Sequence, residues 1–285
     1  MSEEKTMKIV VTGAGGYLGT GVVKQLCNDG LEVVAVSHSK CDILDERAEI
    51  KECDIFNLEN PFEYFGKPNI LLHMAWKNGF VHNDPSHIED LYKHYSFIKK
   101  MIDGGCKHIA VMGTMHEVGF YEGSINADTP TWPESFYGIG KDALRNIVKL
   151  MCKNAGITFQ WLRGYYIVGN TEYGNSIFSK ITLAEKNGQK KFPFTMGINQ
   201  WDFIDYFEFC RQVAASVEQQ EINGIINICS GRPEKLADRV ERFISENGYK
   251  IKLDYGKFPD RSYDSKAVWG DDRKIQEILK IKKLS

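Results

Sequence analysis

The sequence predicts an α/β protein built on a doubly wound parallel sheet. Three observations predict it. A strand pattern, a glycine-rich loop, a helix pattern and a second strand pattern follow one another within about thirty residues of Met7. Short apolar runs then alternate with helix patterns as far as Arg163. The length, 285 residues, suits one large α/β domain, or one with a smaller lobe.

Composition removes several function classes. The formal net charge is −2 and there is no long basic run, so nucleic acid is not an expected partner. Cysteines at 27, 41, 53, 106, 152, 210 and 229 show no CxxC spacing. They read as reduced thiols of a cytoplasmic protein, not as a disulfide frame or a metal site. Met1–Thr6 is charged and has no apolar core, so no signal peptide is expected. No apolar run approaches membrane-spanning length, and no internal repeat is visible.

Met7–Thr12 is a short run rich in β-branched residues, the pattern of a buried strand. Gly13-Ala14-Gly15-Gly16-Tyr17-Leu18-Gly19 follows, and then an apolar helix pattern to Cys27. Gly30 closes that helix, and Leu31–Val36 is the second strand. Glycines there allow a tight turn and let the backbone approach a pyrophosphate at the helix N-terminus, as in a Rossmann-type dinucleotide-binding unit. The spacing is Gly13-x-x-Gly16-x-x-Gly19, with Leu18 where the plain dinucleotide fingerprint needs glycine. With Thr12 before it, this segment resembles the extended short-chain dehydrogenases/reductases, the NAD-dependent epimerase/dehydratase family.

Ser37-His38-Ser39-Lys40 comes next. An NAD enzyme commonly places an acid here for the ribose 2′-hydroxyl, and an acid would repel the 2′-phosphate of NADP. Hydroxyls, an imidazole and an ammonium favour NADP (NADPH), although nearby Asp42 leaves NAD possible. The resemblance makes Lys51–Ile55 the third strand, with Asp54 and Ile55 near the adenine. Ile70–Trp76 is the fourth, its His73-Met74-Ala75 matching the family's His-x-Ala segment along the cofactor, with Trp76 beside it. His73, inside an apolar run, reads as a satisfied core histidine. A helix is expected from about His87 to Ile102, stopped by Gly104-Gly105.

His108–Met112 is the fifth strand, leading to Gly113-Thr114-Met115-His116. Pro130 and Pro133 keep the following stretch out of regular helix, and Ser135 is a good N-cap. The helix it opens, to about Asn154, puts Tyr137 and Lys141 one turn apart on one face. A free tyrosine has a pKa near ~10. An ammonium one turn away is expected to lower it, fitting Tyr137 for proton transfer at a carbonyl or alcohol oxygen. The resemblance completes a catalytic triad of Thr114, Tyr137 and Lys141, with Thr114 on the substrate's reacting oxygen. The resemblance also implies that Tyr137 and Lys141 contact the cofactor. Met115 and His116 stand where sugar-nucleotide dehydratases of the family carry two acids, and both are candidates to touch substrate.

Phe159–Arg163 is the sixth strand. Leu162-Arg163 with Val168-Gly169 resembles a family segment that passes the nicotinamide, which makes Tyr165 a cofactor candidate. Beyond it the family builds a small C-terminal substrate-binding lobe. The boundaries implied are 1–169 for the NAD(P)-binding unit and 170–285 mainly for the lobe. Asn175, Trp201 and Arg261 are its substrate candidates, from matches to a helix start, a strand and a phosphate-gripping loop. The activity implied is NADPH-dependent reduction of a nucleotide-linked 4-keto-6-deoxy sugar, with a homodimer possible. An NAD-dependent sugar-nucleotide epimerase and a non-catalytic NAD(P) sensor remain alternatives.

Overall fold

A computed structural model describes residues 7–169, 171, 176–259 and 265–284. Among the described residues, seven parallel strands form the large sheet. The first five in the chain are β1 (Lys8–Thr12), β2 (Glu32–Ser37), β3 (Glu49–Glu52), β4 (Ile70–His73) and β5 (His108–Thr114). Thr158–Gly164 and Gly224–Ile228 complete it. The order across the sheet is β3-β2-β1-β4-β5, then those two strands. The order reverses between β1 and β4, and in such sheets ligands bind at the strand C-termini there.

These strands read as continuous apolar runs because both faces are covered. Ile9, Val11, Val33, Ala35, Ile70 and Leu72 lie in one core. Helix α1 (Tyr17–Asn28) and the helices Tyr206–Val217 and Arg273–Leu284 supply its other side. Val10, Val34, Leu71, Ile109 and Val111 belong to the opposite core, with the helices Leu91–Gly104 and Phe136–Ala155. This is the expected doubly wound Rossmann-type architecture.

Three local expectations change. The third strand ends at Glu52, because the Asp54 carboxylate turns to cap a short 3-10 turn, accepting from Phe56 N at 3.0 Å. The fourth ends at His73: Met74 N still reaches Thr12 O, and the chain then crosses the glycine loop. The helix expected over 87–102 divides into Ser86–Glu89 and Leu91–Gly104. Between them the Asp90 carboxylate binds Lys77 and Lys93, each at 2.7 Å.

A smaller sheet gathers Gly123–Ile125, Tyr166–Val168, Gln200–Asp205, Pro233–Lys235 and Ala267–Gly270. Phe178, Phe194, Phe203 and Phe243 centre a separate apolar cluster beside it. The buried Asp202 carboxylate ties this sheet together. It accepts from Ser230 N and Oγ at 2.7 Å, and from Gly231 N and Gly270 N at 3.0 Å. No helix among the described residues is long and apolar enough to cross a membrane.

Candidate active site

The glycine loop lies at the switch point, and its glycines are there for space. Gly13 has φ +72°, and a Cβ on it would lie 2.7 Å from Ala75 N. A Cβ on Gly19 would lie 2.2 Å from Gly13 O. Gly16 is the N-cap of α1 and brings no side chain to cap the first turn. The opening amides of α1 therefore suit an anion, and the cradle fits the pyrophosphate of a dinucleotide. Gly15, not singled out in the sequence, is also constrained: its Cβ would meet Ser37 Oγ at 2.4 Å.

Around the cradle, Tyr17 stacks on Tyr206 at 4.6 Å and Leu18 packs against the core. Ser37 Oγ donates to Ser39 O at 2.7 Å. His38 and Ser39 are exposed, and Lys40 is paired with Asp42 at 2.9 Å. Asp54 serves the 3-10 turn, and Ile55 is buried in the second core. Met74 and Ala75 pass directly against Gly13.

Thr114 closes β5, and its Oγ1 accepts from His116 N at 3.3 Å. Ser135 caps the helix Phe136–Ala155 as expected, accepting from Gly138 N at 3.2 Å. A loop absent from the sequence reading holds the next amides: Tyr137 N donates to His82 O at 2.8 Å, and Phe136 N to Asn83 Oδ1 at 3.3 Å. Lys141 is buried. Its Nζ donates to Met112 O at 2.7 Å and lies 4.1 Å from the centre of the Trp76 ring.

Burial pushes Tyr137 up to about 12; a hydrogen bond from Thr114 draws it back, and the Glu117 carboxylate adds to the rise. Burial pushes Lys141 down to about 7, and Glu117 opposes that fall. The expectation that Lys141 depresses the Tyr137 pKa is thus corrected. Desolvation outweighs the other influences on the phenol, and the ammonium is bound to Met112 O and the Trp76 face.

Trp76 is fixed in turn. Its Nε1 donates to His87 Nδ1 at 3.0 Å, which puts the His87 proton on Nε2, facing Val81 O at 3.0 Å. Its ring stacks on His94 at 4.5 Å. His73 bonds Thr12 Oγ1 at 2.8 Å and His94 Nδ1 at 2.9 Å, the satisfied core histidine expected. Burial holds His73 and His94 neutral, His94 at about 3.

His116 does reach the site. Its ring lies 4.5 Å from His82 and 6.1 Å from Tyr137, and burial lowers it to about 4. His82 stacks on Tyr137 at 5.3 Å. Six of the seven histidines fall between residues 73 and 116, the only sequence signal for this cluster. Met115 and Tyr165 instead share a buried apolar cluster with Val118, Ile125, Cys229 and Val268. Trp201 stacks on Tyr166 at 4.8 Å and donates from Nε1 to Ser265 O at 3.0 Å. Tyr166 meets His116 edge-on at 6.4 Å, so these rings form a path from the triad to the small sheet. Asn175 and Arg261 lie outside the described residues. Two hydroxyls and a buried cation beside a pyrophosphate cradle can exchange a proton with a carbonyl or alcohol oxygen next to a nicotinamide.

Comparison with known proteins agrees. A family model described as "NAD dependent epimerase/dehydratase family" matches residues 9–229. The chain is 44% identical to "dTDP-6-deoxy-L-talose 4-dehydrogenase (NAD(+))" of Aggregatibacter actinomycetemcomitans, over 93% of this chain and 99% of the relative. Its fold resembles the UDP-glucose 4-epimerase of Thermotoga maritima (TM-score 0.80, 22% identity, 95% and 92% of the two chains). It also resembles the UDP-glucuronic acid 4-epimerase of Bacillus cereus solved with UDP-glucuronic acid and NAD (TM-score 0.79, 20% identity, 96% and 93% covered). The matched span contains both the glycine cradle and the triad, and the chain belongs to the NAD-dependent epimerase/dehydratase family of NAD(P)-dependent enzymes.

Proposed function

We propose that this protein is a nicotinamide-dependent oxidoreductase acting at C4 of a nucleotide-linked 6-deoxy sugar, interconverting the 4-keto and 4-hydroxy forms. The observation that carries it is the 44% identity to the Aggregatibacter 4-dehydrogenase along nearly its full length. The nicotinamide supplies or accepts the hydride when bound. Tyr137 gives its proton to the C4 oxygen during reduction and takes it back during oxidation. The Thr114 hydroxyl holds that oxygen. Lys141 offers its ammonium to the nicotinamide ribose. The small sheet, with Trp201 and the segments of Asn175 and Arg261, is proposed to hold the nucleotide from about residue 170 onward.

The direction named for the relative, oxidation, is the reverse of the reduction expected from the sequence; the residues serve both. The expectation of NADP gives way in this proposal to NAD. Lys40 is engaged by Asp42, and the Ser37 hydroxyl is turned to Ser39 O, so neither awaits a 2′-phosphate. The relative's name also specifies NAD(+). A homodimer and a cytoplasmic setting belong to the same proposal; the seven cysteines, all free, suit the latter.

The test combines enzyme, NADH or NADPH, and a freshly generated dTDP-4-keto-6-deoxy sugar, and follows nicotinamide absorbance. Stoichiometric loss of NADH with a deoxyhexose product is expected. Interconversion of two nucleotide sugars without net cofactor consumption would replace this reading with the epimerase.

A further inference from the structure

Lys141 is 3 % exposed, so its ammonium is cut off from water. An ammonium carries three N–H donors, and Met112 O accepts from one of them at 2.7 Å. Among the described residues no carboxylate pairs with it; the one acting on it, Glu117, is itself paired with Arg163 at 2.7 Å. A buried charge without a partner is costly, and an amine so placed gives up its proton instead. The other contact of Nζ is the Trp76 ring, 4.1 Å from its centre.

The chain builds this contact from both sides. Gly140 lets the helix Phe136–Ala155 close on the indole: a Cβ there would lie 2.6 Å from His87 O and 3.4 Å from Trp76 Cζ2. Trp76 Nε1 donates to His87 Nδ1 at 3.0 Å, and the ring stacks on His94 at 4.5 Å with 15° between the planes. A hydrogen bond and a stack together fix the indole. The titratable groups around the ammonium do not oppose it. His94 from the Leu91–Gly104 helix and His73 from β4 are neutral, and His87 accepts at Nδ1. On its own helix Tyr137 is a phenol, and Asp142 and Arg145 pair with each other. A π face attracts an ammonium and offers nothing comparable to a free amine.

We propose that Trp76 is a positioning residue for Lys141: its face, fixed by His87 and His94, holds that side chain as an ammonium at the place set by Met112 O. An aliphatic side chain of similar bulk would fill the space and leave the charge unmatched. Trp76 acts here through Lys141 and needs no contact with substrate. The proposal rests on Lys141 being the ammonium of the active site, and not on the identity of the sugar.

The experiment uses the full chain without cofactor or substrate, labelled with 13C at the lysine ε-carbon, and follows the resonance that is missing in Lys141→Met. The wild-type midpoint is expected near 7. Trp76→Leu, which removes the face, should lower it by about one pH unit. Trp76→Phe, which keeps a face and loses the bond to His87, should recover most of that shift. The alkaline limb of kcat/KM for the cofactor reports the free enzyme and should move down in step. If Trp76→Leu does not fold, the chain is expressed with mono- or difluorinated tryptophan, which keeps the shape of the ring and thins its electron density. The midpoint should then fall further with the second fluorine. An unmoved midpoint in Trp76→Leu or in the fluorinated chain overturns the proposal, as does a shifted midpoint with an unmoved rate profile. A failure to turn over 4-keto-6-deoxy sugars would sink the substrate reading and leave the titration standing.

Discussion

The large and small sheets are held together by different means. In the large sheet every neighbouring pair of strands is parallel and matched over four or more residues, as β1 is with β2, where Ile9 faces Val33. Its interior is apolar on both faces. In the small sheet Val268 pairs with Gly123, and Gln200 with both Lys235 and Ala267. There one buried carboxylate, Asp202, receives four hydrogen bonds, three from the loop at Ser230 and Gly231 and one from the strand end at Gly270. The first arrangement spreads its stability over area. The second concentrates it in a few polar atoms, where one lost acceptor leaves buried donors unpaired.

The largest expected effect falls where the two meet. Tyr137 is carried by a large-sheet helix, and its neighbour His116 touches Tyr166 of the small sheet. Tyr137→Phe removes only the proton donor and should cut turnover by about 10²–10⁴ with an unchanged melting temperature. Near-normal turnover would move the chemistry away from this residue. Asp202→Asn comes next. An amide NH2 facing two N–H donors should cost about 2–4 kcal/mol in denaturant unfolding. Gly19→Ala forces a methyl to 2.2 Å from Gly13 O and should cost about 1–3 kcal/mol, with most of the NAD affinity lost. A larger stability loss at Gly19 than at Asp202 would reverse the contrast drawn between the sheets. The smallest effect on stability is expected at Asp42→Ala. Both it and Lys40 are exposed, so the melting temperature should hold, while NADPH binding, measured against NADH, should rise several-fold as Lys40 is released. An unchanged cofactor ratio would mean that Lys40 does not face the ribose.

What was legible in the sequence follows the same divide. Met7–Thr12, the glycine loop and the Tyr137 helix announce themselves, because β-branched runs, glycine spacing and the Ser135 cap are local signals. Thr114 and Tyr137 converge through a strand end and a helix start that are themselves readable. The three-residue strands Gly123–Ile125, Tyr166–Val168 and Pro233–Lys235 were not, since each is a strand only because a distant partner makes it one. Glu117 carries no local mark that separates a buried glutamate from a surface one; Arg163, which pairs with it, is 46 residues further along, on the strand Thr158–Gly164. The Tyr137 pKa departs from the expectation of helical spacing for a related reason. Helical spacing brings Lys141 close, but the carbonyl of Met112 and the face of Trp76, which occupy its ammonium, come from β5 and from the loop after β4.

The pairing of Gly123 with Val268 also sets an order of events during synthesis. Roughly half the chain separates the two residues. The first five strands of the large sheet leave the ribosome one after another, each after β1 with a partner already made, and can dock as they emerge. Gly123–Ile125 emerges early too, but its parallel neighbour Ala267–Gly270 is among the last segments translated. Until then it is a bare strand edge, open to wrong pairing. The cofactor cradle can thus be in place on a nascent chain well before the opposite wall of the site exists, and a ribosome stalled late would present the first without the second.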